Sequence, residues 1–501
     1  MSGHERGGGG EQRQPGIAAV GAYIPRFRLS ADAVRNALGA FHARGVESVA
    51  VPDADEDALT MAAEAGRRAL AASDYDAGDV DSLFLASTTL PYDEEAGTGR
   101  LASLLGVEND ARTAQFSGST AAGGEALAAS LDGASVPGEG DGDTSGVALV
   151  VASDCPQGAT DESVGHAAGA GAAAVVLAPG GAGEVTERGS YNAAYPGTRF
   201  RERGNEETTG LDVTSYDRQA YRETVAGAVE DLGLEDDVAG PEAAALQAPD
   251  GDLPYRAGRS LDIDAETVAA GTAVSEIGDT GAASALLGFA DAVDTGYENV
   301  LVVSYGSGGA AHAFRVTIDG RVPARVTLSG DRDLDFAGAQ RRRGAFDSGV
   351  PEGGGAYVSV PSYHRTLPQR HRLVAGRCRN CGALRFPPEG ACVECGKRPG
   401  YDDAQLSETG TVEVVTTISQ GGAPPEFVPQ QARAGDYASA VVAFEGREGG
   451  GEVSVPVQVV LVGDDAPEIG DKVVARPRLL YEQEGVRRYG VKGVPASDRR
   501  E

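Results

Sequence analysis

The chain has 501 residues, 41% of them hydrophobic, and sets 75 acidic against 43 basic residues for a formal charge of −32. That length is a prior for about three domains with ordinary cores, no apolar run approaches the ~20 residues of a membrane span, and so acidic a chain suits nucleic acid poorly. Only Lys397, Lys472 and Lys492 are lysines and the acid is spread rather than blocked, the pattern of a salt-adapted, halophilic surface whose carboxylates are screened in molar salt; an acidic face for a basic partner is the competing reading.

Residues 1–15 form a polar tail expected to be disordered. Gly16 to Ile24 reads as a strand stopped by Pro25, and Ser30 caps a helix over Ala31 to Phe41. Asp55 opens a second helix in which Leu59, Ala62, Ala63, Gly66 and Leu70 recur at the helical period, so one face packs. Apolar runs at Ser82 to Ser87, Thr113 to Phe116, Val147 to Ser153 and Ala172 to Ala178 alternate with helical stretches, one ending at Leu105 and one spanning Ala121 to Leu131. This alternation is that of an α/β fold. A second round follows: helix Tyr216 to Leu232, strand Ala243 to Ala248, helix Gly281 to Val293, then strands Val300 to Tyr305 and Ala313 to Ile318. The similar ordering predicts two related halves over 16–330. Residues 331–372, with Arg341 to Arg343 and Gly353 to Gly355, read as a linker at a domain boundary.

Cys378-Arg-Asn-Cys381-Gly382 and, ten residues later, Cys392-Val-Glu-Cys395-Gly396 have the spacing of a four-thiolate zinc ribbon, placed at 373–400. Each glycine permits the tight turn that points backbone amides at the sulfurs. With four protein ligands Zn2+ keeps no open position for water, so the metal is expected to hold structure. The alternative is two disulfides; the lack of a secretory apolar segment and the acidic composition favour a reducing, cytoplasmic interior. From 401 to 496, Thr409 to Ile418, Tyr437 to Phe444, Val453 to Val462, Lys472 to Tyr481 and Arg487 to Val494 are five strand candidates. They suggest a small β-barrel of the OB-fold kind, with too few exposed aromatics and basic groups for an oligonucleotide.

Three stretches resemble archaeal hydroxymethylglutaryl-CoA synthases of the thiolase superfamily: Val51-Pro-Asp-Ala-Asp-Glu-Asp-Ala-Leu-Thr-Met-Ala62, Ile277-Gly-Asp-Thr-Gly-Ala-Ala-Ser284 and Val303-Ser-Tyr-Gly-Ser-Gly-Gly309. The likeness covers about Gly16 to Val326. The ribbon and the strands after it resemble the zinc-ribbon and OB-fold proteins associated with acyl-CoA enzymes. The resemblance implies a five-layer α/β/α/β/α domain of two duplicated halves, paired as a homodimer, and a CoA thioester as ligand.

The departures from that family fall on its chemistry. The family's nucleophilic cysteine opens the helix after the third strand, where this chain reads Gln115-Phe-Ser-Gly-Ser-Thr-Ala-Ala122, with Gly118 near the altered position. In a Ser-Glu-Ser-His-Pro-Tyr-like stretch the acid/base glutamate is replaced by Thr88. The histidine that polarises the thioester carbonyl is replaced by Gln247, which donates a hydrogen bond but shuttles no proton. The asparagine before Thr-Gly-Ala-Ala-Ser is Asp279, whose charge repels an oxyanion. Ser117 and Ser119 lack a base at the histidine position, and Cys155, expected to face the same cavity, lacks an activating partner. His166 and His312 are the histidines nearest the family motifs, and Arg341 to Arg343 are weighed as CoA-phosphate contacts against a solvated linker cluster. The sequence therefore reads as a noncatalytic, acyl-CoA-binding or scaffolding subunit that meets a thiolase or another acyl-CoA enzyme. The alternative is an active condensing acyltransferase with a non-standard nucleophile.

Overall fold

The computed structural model describes residues 15–133, 146–211, 213–234, 239–346, 357–419, 421–461 and 466–496. The tail, except Pro15, and the glycines at 353–355 lie outside them. In chain order the first half comprises β1 (Gly16–Tyr23), β2 (Phe27–Ser30), α1 (Ala31–Leu38), β3 (Ser48–Val51), α2 (Ala58–Ala72), β4 (Val80–Ala86), α3 (Gly97–Leu105), β5 (Arg112–Phe116), α4 (Ala122–Gly133), β6 (Val147–Asp154), α5 (Ser163–Ala167) and β7 (Gly171–Ala178). The second half comprises β8 (Gly183–Tyr195), α6 (Thr214–Glu230), β9 (Ala243–Leu246), α7 (Leu253–Ser260), α8 (Ala265–Ala269), α9 (Val274–Ile277), α10 (Ser284–Thr295), β10 (Asn299–Gly306) and β11 (Gly308–Ile318).

The pairings carry the duplication. In the first half the order is β5-β4-β6-β7-β1, with β4, β5 and β6 parallel and β7 antiparallel to both neighbours. The second half runs β9-β10-β11-β8, with β9 parallel to β10 and β11 antiparallel to both neighbours. It repeats the first without the outermost strand. The halves touch where Ile17 of β1 meets Gly183 of β8. β7 is buried along its whole length, as a strand covered on both faces must be, which explains its unbroken apolar run.

Five layers result. The residues of α4 and α10 lie between the two half-sheets in one apolar core with Ile17, Phe84, Phe289 and Phe314. α2 and α3 cover the outer face of the first half, and α6, α7 and α8 that of the second. α2 starts where Asp57 accepts from the Leu59 and Thr60 amides in a capping box, two residues later than its sequence signal at Asp55. β1 approaches α2 so closely that a Cβ on Gly21 would lie 2.6 Å from the Ala65 carbonyl oxygen, so only glycine fits there.

The segment expected to be a linker is folded where it is described. Just before it, β12 (Ala324–Arg325) pairs with β1; within it, β13 (Arg332–Leu334) pairs with β2, and α11 (Phe336–Arg342), α12 (Val360–Arg365) and α13 (Leu367–Arg372) follow. Beyond them lie β14 (Val374–Cys378), β15 (Leu384–Arg385), β16 (Tyr401–Ile418), α14 (Val428–Ala434), β17 (Tyr437–Gly446), β18 (Glu452–Val459), β19 (Lys472–Gln483) and β20 (Val486–Pro495). β16 is longer than its sequence signal because its first half pairs with β14 of the ribbon and its second with β17. The ladders run β16-β17-β18-β20-β19 and return to β16, closing a ring around Leu406, Val442, Phe444 and Val473. Among the described residues no helix is long and apolar enough to cross a membrane.

Candidate functional site

Of the positions the sequence marks as altered, Thr88, Gln247 and Asp279 lie around one fully buried carboxylate that the sequence reading missed. Asp154, the last residue of β6, is 0% exposed. It accepts from the Thr88, Thr89 and Ala282 amides and from the Ser87, Thr88 and Thr89 hydroxyls at 2.7–2.9 Å. Burial pushes its carboxyl above the usual range and these donors pull it back. The Thr88 hydroxyl is thus committed to a structural bond. A carboxylate ending a strand as apolar as Val147 to Ser153 was the available signal, since a buried charge must be hydrogen-bonded.

Gln247 and Asp279 are committed too. Gln247, just past β9 and 1% exposed, donates through Nε2 to the Gly281 carbonyl at 2.7 Å. Asp279, also buried, forms an ion pair with Arg199 and accepts from the Gly281 amide. At the start of α4, Ser119 Oγ accepts from the Ala121 amide and Thr120 donates to the Tyr305 carbonyl. Ser117 and Gly118 are exposed, and Gly118 has φ +92°. None of these groups is a proton carrier placed beside a nucleophile.

Two cavities flank this centre. The first, about 560 Å³, is lined by Gln247, Thr120, Tyr305 and the guanidinium-bearing Arg44, Arg199 and Arg218. The second, about 400 Å³, lies at the domain junction and is lined by Thr89, Cys155, Arg201 and Arg343. Arg199 lines the first and Arg201 the second, with Arg199 on Asp279 and Arg201 donating to the Thr88 carbonyl. Cys155 therefore faces the second cavity, not the one that holds Gln247, a correction to the sequence expectation. Burial and the nearby Asp57 push its thiol up to about 12, so little thiolate exists at neutral pH.

His166 is held in place by its neighbours. His166 accepts from the His42 amide at 2.9 Å through Nδ1, and its ring stacks on Phe41 and His42. Burial lowers the affinity of both His166 and His312 for protons. In the 341–343 cluster, Arg342 pairs with Asp53 at 3.3 Å and Arg343 donates to the Ala168 carbonyl at 2.8 Å, away from the first cavity.

The four cysteines converge. The sulfurs of Cys378, Cys381, Cys392 and Cys395 lie within 4.8 Å of one another, with Cys378–Cys395 at 3.8 Å and Cys381–Cys392 at 3.6 Å. Four thiolates at about 2.3 Å from a tetrahedral metal are about 3.8 Å apart, whereas a disulfide needs about 2.05 Å; the set fits a metal and not two disulfides. Gly382 (φ +77°) and Gly396 (φ +66°) close each knuckle by donating to the Cys378 and Cys392 carbonyls. The Cys395 and Glu394 amides pull the Cys392 thiol down to about 7, toward the thiolate.

The module behind the ribbon is docked on its own chain. The acidic stretch after β3 meets basic residues of β19 and β20: Asp55 with Lys492 at 2.9 Å, Glu56 with Arg478 at 3.0 Å, and Asp57 with Arg487 at 2.9 Å and the Tyr489 hydroxyl at 2.6 Å. Glu64 of α2 adds Arg476 at 3.6 Å. The arginines, Arg67 first, outweigh the burial of Glu64 and hold its carboxyl at about 2.

Comparison with known proteins places these features. Residues 365–399 match the family described as ChsH2, rubredoxin-like zinc ribbon domain. The hydroxymethylglutaryl-CoA synthase of Pyrobaculum arsenaticum is 30% identical over 321 residues, covering 62% of this chain and 89% of that protein. That of Thermococcus gammatolerans is 28% identical, covering 64% and 90%. MvaS in complex with 3-hydroxy-3-methylglutaryl coenzyme A superposes with a TM-score of 0.58 at 20% identity over 68% of this chain and 94% of that one. The 3-oxoacyl-(acyl carrier protein) synthase III of Pseudomonas aeruginosa superposes with a TM-score of 0.54 at 22% identity over 62% and 100%. These superpositions establish a thiolase-like fold for the duplicated domain.

Proposed function

The chain belongs to the hydroxymethylglutaryl-CoA synthase family, and from that premise we propose that it binds a CoA thioester without condensing it. The observation that carries this reading is the commitment of the replaced positions: Thr88 bonds Asp154, Gln247 bonds Gly281, and Asp279 pairs with Arg199. Proton transfer needs a titratable group within reach of the substrate, and an oxyanion needs donors rather than a carboxylate. Gln247 carries no titratable proton, Asp279 is a carboxylate held by Arg199 where an oxyanion would need a donor, and the 87–89 turn has its donors directed at Asp154. Cys155, the thiol nearest this turn, lines the second cavity rather than the first and is protonated.

Binding outlasts chemistry because it needs shape and a few polar groups. The first cavity has ligand size, and among the described residues neither Arg44 nor Arg218 on its wall forms an ion pair. Their guanidinium groups suit the phosphates of CoA. Zn2+ is the metal we assign to the four cysteines, in a structural role, and we read the closed strand ring as an OB-fold. A homodimer through the thiolase-like domain, a thiolase or another acyl-CoA enzyme as partner and a cytoplasmic setting complete the reading. Since β19 and β20 are engaged inside the chain, a partner would meet other faces of the module.

Calorimetry of the full chain in molar salt tests the reading. Acetyl-CoA and free CoA should bind saturably, and Arg44→Gln with Arg218→Gln should weaken both at least tenfold. A mixture of acetyl-CoA and acetoacetyl-CoA should release no free CoA. Release of CoA at a sustained rate would favour the active acyltransferase instead.

A further inference from the structure

The junction cavity has a feature unusual in so acidic a chain. Three of the carboxylates on its wall are engaged by cations: Asp53 by Arg342, Asp57 by Arg487 and Glu56 by Arg478. Asp93 and Glu206 are exposed at its edge. Arg201 and Arg343 also line it, yet their hydrogen bonds go to backbone carbonyls, of Thr88 and Ala168, and among the described residues no carboxylate pairs with either. A carbonyl offers a dipole and no charge, so these guanidiniums remain without a counter-ion. Burial pushes Arg343 down to about 10, the response of a cation with reduced access to water. The planar fork of arginine matches a carboxylate or phosphate in two parallel hydrogen bonds. The volume of about 400 Å³ falls in the usual range of about 300–1,000 Å³ for small-molecule sites.

We propose that the domain junction is a second ligand site, which takes a small molecule bearing a carboxylate or phosphate group between Arg201 and Arg343. The site draws one arginine from the loop after β8 and one from the segment after α11, and its floor includes Thr89 and Cys155. It is separate from the first cavity and does not depend on the reading of that cavity as a CoA site, because Gln247, Arg44 and Arg218 do not line it. A ligand here would rest against the turn that Asp154 organises, and so against the position where the family's acid/base residue would stand.

The test uses the full chain near neutral pH in molar potassium chloride, titrated separately with malonate and with inorganic phosphate against chloride at equal ionic strength. At least one should give saturable heat and raise the unfolding midpoint. Malonate alone identifies a carboxylate ligand, phosphate alone a phosphate ligand, and both the shared oxyanion chemistry. Arg201→Gln and Arg343→Gln should each weaken binding at least tenfold, while Arg398→Gln on the exposed ribbon should leave it unchanged. No saturable binding of either probe, or equal affinity in the wild type and both junction variants, overturns the proposal. Should those variants fail to fold, wild-type crystals soaked in selenate decide it: an anomalous peak between the two guanidiniums supports the site, and none there refutes it.

Discussion

The ribbon and the synthase-like centre are both polar sites built on turns, but they are built at different ranges. Cys378 to Cys395 lie on two knuckles of one short segment, and their four sulfurs converge within 4.8 Å of one another. Thr88, Gly118, Gln247 and Asp279 come from the ends of separate elements, and the three buried or half-buried ones have acquired structural bonds. The first arrangement ties its chemistry to its fold. The second ties turns from separate elements together through Asp154 and Arg199.

The sharpest way to break that comparison is Cys378→Ser. Structural zinc contributes on the order of 10–16 kcal/mol, so metal content should fall from about one per chain to none, and the segment matching the zinc-ribbon family should become protease-sensitive. A metal-free wild-type protein with an unchanged thermal transition in reducing buffer would contradict it. Next in size, Asp154→Ala strands the Thr88, Thr89 and Ala282 amides without their acceptor. Each buried donor left without a partner costs about 1–3 kcal/mol, read from the denaturant midpoint; a total change under about 1 kcal/mol would remove Asp154 from its organising role.

A pH effect comes third. His371 of α13 lies 2.8 Å from Ser103 of α3, and burial, then Arg372, Arg100 and Arg370, lower it to about 4. A base whose folded value is depressed contributes stability above its unfolded value near 6.5 and loses it as pH falls toward 4. Between those limits the loss should reach up to about 3 kcal/mol, and His371→Gln should flatten that part of the profile. Salt should have the smallest effect per group, because exposed charge pairs are worth about 0–1 kcal/mol each. Stability should still rise from tens of millimolar to molar salt as repulsion among 75 acidic residues is screened. A flat or falling midpoint would show that the charge serves another purpose.

What could be read from the sequence follows the same division of range. The ribbon was legible because its spacing and two glycines are local, and the α/β alternation because β7 and α2 carry their own periodicities. The strand ring was legible as five strands, though not the length of β16, which depends on its pairing with β14. Asp154, Arg199 and Arg201 were not legible, because their role exists only once the turn after β4, the end of β6 and the loop after β8 meet. The docking of Asp55, Glu56 and Asp57 on β19 and β20 was hidden for the same reason. That stretch carried the family resemblance, and nothing local marks it as an interdomain contact.

The central claim is that this synthase-like centre holds a CoA thioester and does not take its acyl group. Intact mass spectrometry after incubation with acetyl-CoA in molar salt near neutral pH tests it most directly. The predicted result is an unmodified chain under conditions where calorimetry detects binding. An adduct of one acetyl group that disappears in Cys155→Ala, Ser117→Ala or Ser119→Ala would contradict the claim and identify the nucleophile of a working acyltransferase.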